Sequence, residues 1–495
     1  MQQLPILPTL MPLLAAPLIA CFHIAPTAFR REAAWGIAAL VATASFIASL
    51  MLYAQIGESG TFIYNLGGWP APLGITYVID ATAAFVLPVI SGVACIITLA
   101  ARRLVAEEIP EKNHALFYTA WMLTLAGMLG MVASGDAFNI FVFLEIASLS
   151  GYALIACGAG RDRRALPAAF NYLILGTVGA TFYVIGVGLA YMLTGTLNLA
   201  DLAARLPEVA ATRAGFAALA FMAIGLFLKM ALFPLHLWLV PAYAGAPSAV
   251  AALMAATATK VAVYVLVRLI FGVFGLDFPG LENGLGTLMG ALGLIAIVIG
   301  TLAAIAETDL RRLFGQSSVA QLGYMAVGIG LMTQAGLAAS FIHLFAHAAM
   351  KGAIFLALGA IATQTRGVLR IDALYGAAHQ MPRTFAAILV SGLALAGLPL
   401  TAGFISKLQL VRALFESDAY LTAGLVLLGS ALSLVYVWKI VEAAWLTPRP
   451  ADAPELHETI AHWLPAWVLA GATLWFGIRA DALVQAVQAA ARAVL

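Results

Sequence analysis

The stretch SFIHLFAHAAMKGAIFLALGAIA, Ser340 to Ala362, is apolar except for its first residue, Ser340, and three ionisable residues, His343, His347 and Lys351. Its length matches the ~20 residues an α-helix needs to cross hydrocarbon. The three ionisable residues stand at i, i+4 and i+8, and residues four apart stack on one helix face. The run reads as a membrane helix, one face of which carries a column of groups able to take up and release protons. Hydrocarbon penalises such groups, so their presence asks for a reason.

The rest of the chain is built the same way. Hydrophobic residues make up 63% of the 495 and charged residues 10%, where a soluble domain carries roughly 25% charged residues. Apolar runs of membrane length recur from end to end, so the expected fold is an all-α polytopic membrane protein. The first run lacks a basic n-region and a small-residue cleavage site, and reads as a membrane helix, not a signal peptide. A net charge of +2 with no basic cluster offers nucleic acid nothing to bind. Cys21, Cys95 and Cys157 sit singly in apolar runs and read as small core residues.

Fourteen spans are expected, numbered 1 to 14 in chain order, at about 4–22, 33–54, 77–100, 116–133, 137–157, 168–193, 216–240, 246–271, 285–306, 316–333, 337–363, 384–411, 419–446 and 460–477. The two longest connections, 55–76 and 194–215, have room for a turn or a short helix only. Alternate connections differ in charge. One set holds Arg30 and Arg31; Arg102, Arg103 and Lys112; Arg161, Arg163 and Arg164; Arg311 and Arg312; Arg366, Arg370 and Arg383; and Arg449. The opposite set holds Arg205, Arg213 and Arg412, with Arg479 and Arg492 in the tail. The positive-inside rule places the first set in the cytoplasm and both termini outside.

Few charges remain within the spans: Asp80, Glu145, Lys229, Lys260, Lys351 and Lys407, with His236, His343 and His347. Arg268, Lys439 and Glu442 lie nearer span ends and read as snorkelling to the interface. Lys229 precedes Pro234, which removes a backbone donor and breaks or kinks span 7. Pro399 and Gly403 loosen span 12 just before Lys407. A break at membrane depth survives only where protein or water satisfies the freed carbonyls, and ion-translocating helices are often built that way. Spans 7 and 12 are five apart, so spans 4–8 and 9–13 fit two inverted five-helix repeats. The implied organisation is 1–115 for the N-terminal spans, 116–271 and 285–446 for the repeats, and 447–495 for span 14 and a tail.

Each buried charge could simply pair with another to fix helix packing. Four mid-span lysines face one mid-span glutamate, however, so some of those lysines can spend time neutral and carry protons. The imidazoles titrate near neutrality. His343 and His347 have the spacing of two helical metal ligands, but no glutamate follows His343 and no third ligand is evident; no metal is expected.

Several collinear segments carry a family resemblance: SGDAFNIFVFLEI, LKMALFPLHLWLVPAYAGAPSAVAALMAATATKVAVY, ETDLRRLFGQSSVAQLGYM, HLFAHAAMKGAIFLALG and GLPLTAGFISKLQL. With them the chain resembles the proton-channel subunits shared by Mrp-type cation/proton antiporters, respiratory complex I and membrane-bound hydrogenases. The loop YNLGGWPAPLGITYVID is similar to that of the D-type Mrp subunits. The resemblance implies a secondary-transporter subunit in a bacterial plasma membrane, not an enzyme, with partner subunits of the A, B, C, E, F and G types. Protons would exchange for Na⁺ or K⁺, with no cofactor in this chain. It implies that Glu145 pairs with Lys229, and that Lys260 continues the polar axis. His343, His347 and Lys351 would lie on a broken span 11, with Lys407 at the end. Asp136, His236, Asp309, Arg311 and Asp80 are possible accessory residues, and Asp309 to Arg312 reads as a helix-end ion pair. The alternative is the same relay driven by a redox arm; a self-sufficient carrier fits less well, because family members work in arrays.

Overall fold

A computed structural model describes residues 3–24 and 27–495 of the chain, side chains 24 and 27–30 aside; the Arg30 side chain therefore lies outside the described residues. Among the described residues, eleven helices are long and apolar enough to cross a membrane. They correspond to spans 1–9, 11 and 13. Span 10, Leu310–Gly330, starts with two arginines. Span 12 is two helices, Pro382–Ala396 and Ala402–Glu416. Span 14, Ile460–Ile478, turns by 87° into Ala480–Val494, a helix where the sequence predicts only a tail. That last helix docks on the start of span 3, where the Thr82 hydroxyl donates to the Ala490 carbonyl at 2.7 Å.

Small residues let these helices approach. A Cβ on Gly293 of span 9 would come within 2.7 Å of the Gly323 carbonyl oxygen of span 10, and one on Gly323 within 2.5 Å of the Gly293 oxygen. Only a residue without a side chain fits there, and dispersion between bare backbones holds the pair in a medium that gives helices no hydrophobic reason to associate.

Span 7 breaks as expected. Arg213–Met230 ends at Ala231 in the left-handed region, φ 58°, and the helix resumes at Leu239–Gly245. The Ala231 and Leu232 amides donate back to Leu228 and Phe227 at 3.2 and 3.0 Å. Span 12 stops the same way: Gly397 has φ 87°, and the Gly397 and Leu398 amides donate back to Ala394 and Leu393, both at 3.0 Å. Both stops satisfy carbonyls that would otherwise be bare at membrane depth.

Span 11 differs from expectation. Gln334–Gln364 is a single unbroken α-helix of 31 residues. It has no proline, and its glycines serve close contacts instead: a Cβ on Gly359 would meet the Ser248 side chain at 2.9 Å. Span 8, Ser248–Phe274, is irregular instead: π-turns occupy Met254–Ala258, within the span, and Ile270–Phe274, at its end. The first connection also differs: Phe62–Asn65 (β1) and Thr76–Ile79 (β2) form an antiparallel hairpin with Tyr64 opposite Tyr77. The 194–215 connection holds the expected short helix, Leu199–Val209.

Two loop pairings recur. Before span 5, the Ala137 amide donates to the Leu197 carbonyl at 2.8 Å and the Leu199 amide to Gly135 at 2.9 Å. Before span 10, Leu310 donates to Leu369 at 3.0 Å and Ile371 to Thr308 at 2.9 Å.

Candidate functional site

Asp80, the N-cap of span 3, and Glu108, that helix's last residue, anchor opposite ends of a 28-residue rod, about 40 Å apart at 1.5 Å rise per residue. At one end Asp80 accepts from Arg268 at 2.7 Å while Arg268 also donates to the Tyr264 hydroxyl at 3.0 Å. Arg268 is buried and does not snorkel, because its charge is neutralised inside the bundle. At the other end Glu108, hidden beyond the expected end of span 3, accepts from Arg161 at 2.6 Å and from the Ser248 amide and hydroxyl. Arg311 joins by donating to the Ser248 hydroxyl at 2.6 Å. The expected Asp309–arginine ion pair does not form: Asp309 caps span 10 by accepting from the Arg311 and Arg312 amides, and Arg312 pairs with Glu307 at 3.0 Å. Lys439 reaches the Ile305 and Glu307 carbonyls at 3.1 and 2.8 Å, closing the end of span 9.

Between these ends the four lysines lie buried. Lys229, next to the span 7 stop, donates to the Ser148 hydroxyl at 2.6 Å. Glu145 sits one turn earlier on the same helix as Ser148, and its buried Oε1 has no hydrogen-bond partner among the described residues. The implied Glu145–Lys229 pair is thus open in this conformation, with Lys229 on the Ser148 hydroxyl instead. A cavity of about 30 Å³ touches Lys229, Ser148 and Thr124 and is closed on one side by Ala258 and Ala262 of span 8. It is large enough for a water molecule.

Lys260 follows the first π-turn of span 8, and its ammonium donates to the Ala255 carbonyl and, at 3.3 Å, to the Thr259 hydroxyl. The π-turn frees carbonyls from the regular ladder, which is why such turns suit functional positions. Lys351 donates to the Phe314 carbonyl at 2.6 Å and to the Ser317 hydroxyl, with its ammonium 5.3 Å from the Phe314 ring centre. His347 is fully buried, and neither ring nitrogen has a partner among the described residues. Its ring stacks on His343 at 6.0 Å, and the His343 Nδ1 lies 2.9 Å from the Ser406 hydroxyl. Lys407, the next residue, donates to Leu395 at 2.7 Å and to Ser430 at 3.0 Å. Its ammonium is 4.4 Å from the centre of the Tyr324 ring, which also lies against His343.

The structure therefore brings His343, His347, Lys351 and Lys407 together, and Glu145, Ser148 and Lys229 together, with Lys260 on span 8 at its first π-turn. The accessory candidates are set apart. Asp136 caps span 5 by accepting from the Asn139 amide at 2.7 Å, and burial pushes its carboxyl above the usual range. His236 lies in the span 7 break, stacked on Phe233 at 5.3 Å. Ser148, Ser317, Ser406, Ser430 and Tyr324 hold the ionisable groups, though composition and spacing do not single them out. Ser148 stands three residues after Glu145 and Ser406 adjoins Lys407, so their positions carry a signal. Ser317 and Ser430, on other helices, carry none. Among the described residues no cluster of three potential metal ligands occurs.

Residues 134–433 match the family described as NADH:quinone oxidoreductase/Mrp antiporter, transmembrane. The chain belongs to this family. Among relatives of this family, the N subunit of the NADH-quinone oxidoreductase of Desulforudis audaxviator is 39% identical over 79% of this chain and 77% of its own. The D subunit of the Na⁺/H⁺ antiporter of Alkalihalophilus pseudofirmus is 30% identical over 98% of this chain and 96% of its own. The solved Mrp complex from Dietzia sp. contains a chain that superposes with a TM-score of 0.89, at 26% identity, covering 99% of this chain and 97% of that one.

Proposed function

We propose that the chain is the D-type membrane component of a multisubunit antiporter that exchanges protons for Na⁺ or K⁺, and that it conducts protons along the row from Glu145 to Lys407. The observation that carries the relay is how the lysines are held. Lys229, Lys260, Lys351 and Lys407 all end on hydroxyl or carbonyl oxygens, and among the described residues none of them makes an ion pair. A lysine paired with a carboxylate cannot shed its proton without stranding a buried charge. One held by neutral oxygens can, and a structural charge pair would not be built that way.

In this reading, closing the open Glu145–Lys229 pair raises the proton affinity of Lys229 and opening it lowers that affinity. The change is felt at Lys260 and Lys351 because charges in low dielectric interact over longer distances than in water. Asp80, Asp136, His236, Asp309 and Arg311 would act at the ends of the path. Two inverted repeats, spans 4–8 and 9–13, account for the matching stops in spans 7 and 12 and for the matching loop pairings before spans 5 and 10. The arginine-rich connections would face the cytoplasm of a bacterial cell and both termini the outside, with A-, B-, C-, E-, F- and G-type subunits alongside.

The near-complete match to an antiporter D subunit favours this reading. The higher identity to an oxidoreductase N subunit supports a second one, in which the same relay serves a redox-driven pump. The deciding measurement is ΔpH across everted vesicles holding the native complex, with Na⁺, K⁺ or an electron donor added in turn. Cation-driven pH change without donor is expected; acidification with donor alone would transfer the relay to the redox reading.

A further inference from the structure

Gln321 of span 10 is fully buried, and neither its Oε1 nor its Nε2 has a hydrogen-bond partner among the described residues. An unmet amide in a protein interior costs about 1–3 kcal/mol per group, and a core residue of the same shape, such as methionine, would avoid that cost. The side chain must therefore be used for something.

Its level in the bundle follows from contacts on either side. Spans 10 and 11 are antiparallel neighbours joined by a short turn. Lys351 is tied to Phe314 and Ser317. At the next contact Tyr324 lies 5.6 Å from His343, ring centre to ring centre, and beyond it the Ser340 hydroxyl donates to Met325 at 3.0 Å. Gln321 lies four residues after Ser317 and three before Tyr324, on the face they share. His347 lies four residues from both Lys351 and His343. Gln321 and His347 thus fall at one level, between the Lys351 contact and the His343 contact. Both are fully buried, and together they present four polar atoms without a protein partner. The His343 Nε2 adds a fifth.

We propose that Gln321 is a positioning residue that orders water between Lys351 and the two histidines, making span 10 the second wall of the proton path. Its Oε1 accepts from, and its Nε2 donates to, water shared with the His347 ring. A proton passes from the Lys351 ammonium to that water while the water gives one to the His347 imidazole, leaving a neutral amine and an imidazolium. Gln321 itself neither gains nor loses a proton. Tyr324, with its ring between His343 and Lys407, continues the same wall. The inference rests on the relay reading above.

The test compares Gln321→Met and Gln321→Glu in the assembled complex in everted vesicles, with Lys229→Ala alongside. If Gln321 orders the path, the Met variant keeps or raises thermal stability while cation-dependent proton flux falls at least tenfold, and Glu restores flux to within about threefold of wild type. A purely packing role gives the opposite result. Wild-type flux in the Met variant overturns the proposal, and so does failure of that variant to assemble. Normal flux in Lys229→Ala would instead remove the relay itself, so the two failures are distinguishable.

Discussion

In span 7 the helix stops at Ala231 with Lys229 just before the stop; in span 12 it stops at Gly397 with Lys407 beyond the restart, on Ala402–Glu416. The two stops share their backbone geometry, yet the lysines are held differently. Lys407 reaches back across its break to the Leu395 carbonyl and is also held by Ser430, which itself donates to Ala396 at 2.6 Å. It is part of what satisfies the broken helix end. Lys229 contributes nothing to its own break, where Trp238 donates to the Leu228 carbonyl at 2.9 Å. It holds one hydroxyl, with an unpartnered carboxylate oxygen one turn away. In the proposed relay the first half would work by a charge pair that opens and closes, while in the second the amine would keep its place as its proton comes and goes.

The largest expected effect tests the first half. Lys229→Ala should reduce cation-dependent proton flux to background while leaving the complex assembled, because Glu145 can take a proton and remain buried neutral. Flux in vesicles and retention on a sizing column measure the two outcomes separately. Normal flux would sink the relay; loss of assembly would mean that Lys229 fixes packing after all.

Lys407→Ala should also stop flux, but with a second consequence that the first variant lacks. Removing its ammonium strands the Leu395 carbonyl at membrane depth, a loss of about 1.5–3 kcal/mol for a hydrogen bond to a charged group. The apparent Tm of the purified complex should fall clearly for Lys407→Ala and little for Lys229→Ala. Equal shifts would erase the distinction between a pinned lysine and a switching one.

Much of this site is legible in the sequence because charge in an apolar run is conspicuous, and Pro234 and Pro399 mark their breaks directly. What one helix cannot state is which groups on other helices face it. Periodicity assigns Lys229 and Glu145 to mid-membrane, but only the rotation and tilt of spans 5 and 7 decide that Ser148 meets the amine first. Lone serines such as Ser317 and Ser430 look like ordinary small packing residues in Gly- and Ala-rich spans. Glu108 is inconspicuous because span 3 continues to it beyond Arg102 and Arg103, whose charges mark an apparent helix end. The break implied for span 11 comes from resemblance and not from its residues, which contain no proline and form a continuous helix.

Ser148→Ala asks whether the hydroxyl merely holds Lys229 or also mediates its pairing. Lys229 already holds this hydroxyl at rest, so its loss slows flux to the extent that the bond strengthens as the proton moves; a difference of about 1.5 kcal/mol corresponds to roughly tenfold in rate. A flux reduction of about tenfold without loss of assembly is expected, measured in the same vesicles.

The smallest effect belongs to Ser430→Ala, and it gives the comparison its finest test. Lys407 keeps its bond to Leu395 in that variant, and the Tyr324 ring still faces the ammonium, so the charge retains two of its contacts. The Ala396 carbonyl loses its donor, which costs on the order of 1 kcal/mol. Apparent Tm should fall slightly, and flux should stay within about threefold of wild type, less than half a decade on the scale where about 1.36 kcal/mol is tenfold. A tenfold loss of flux here, matching Ser148→Ala, would mean that the second half also switches, with Ser430 as its moving contact. Lys407 would then be a gate like Lys229, and the two stops would be equivalent in use as well as in shape.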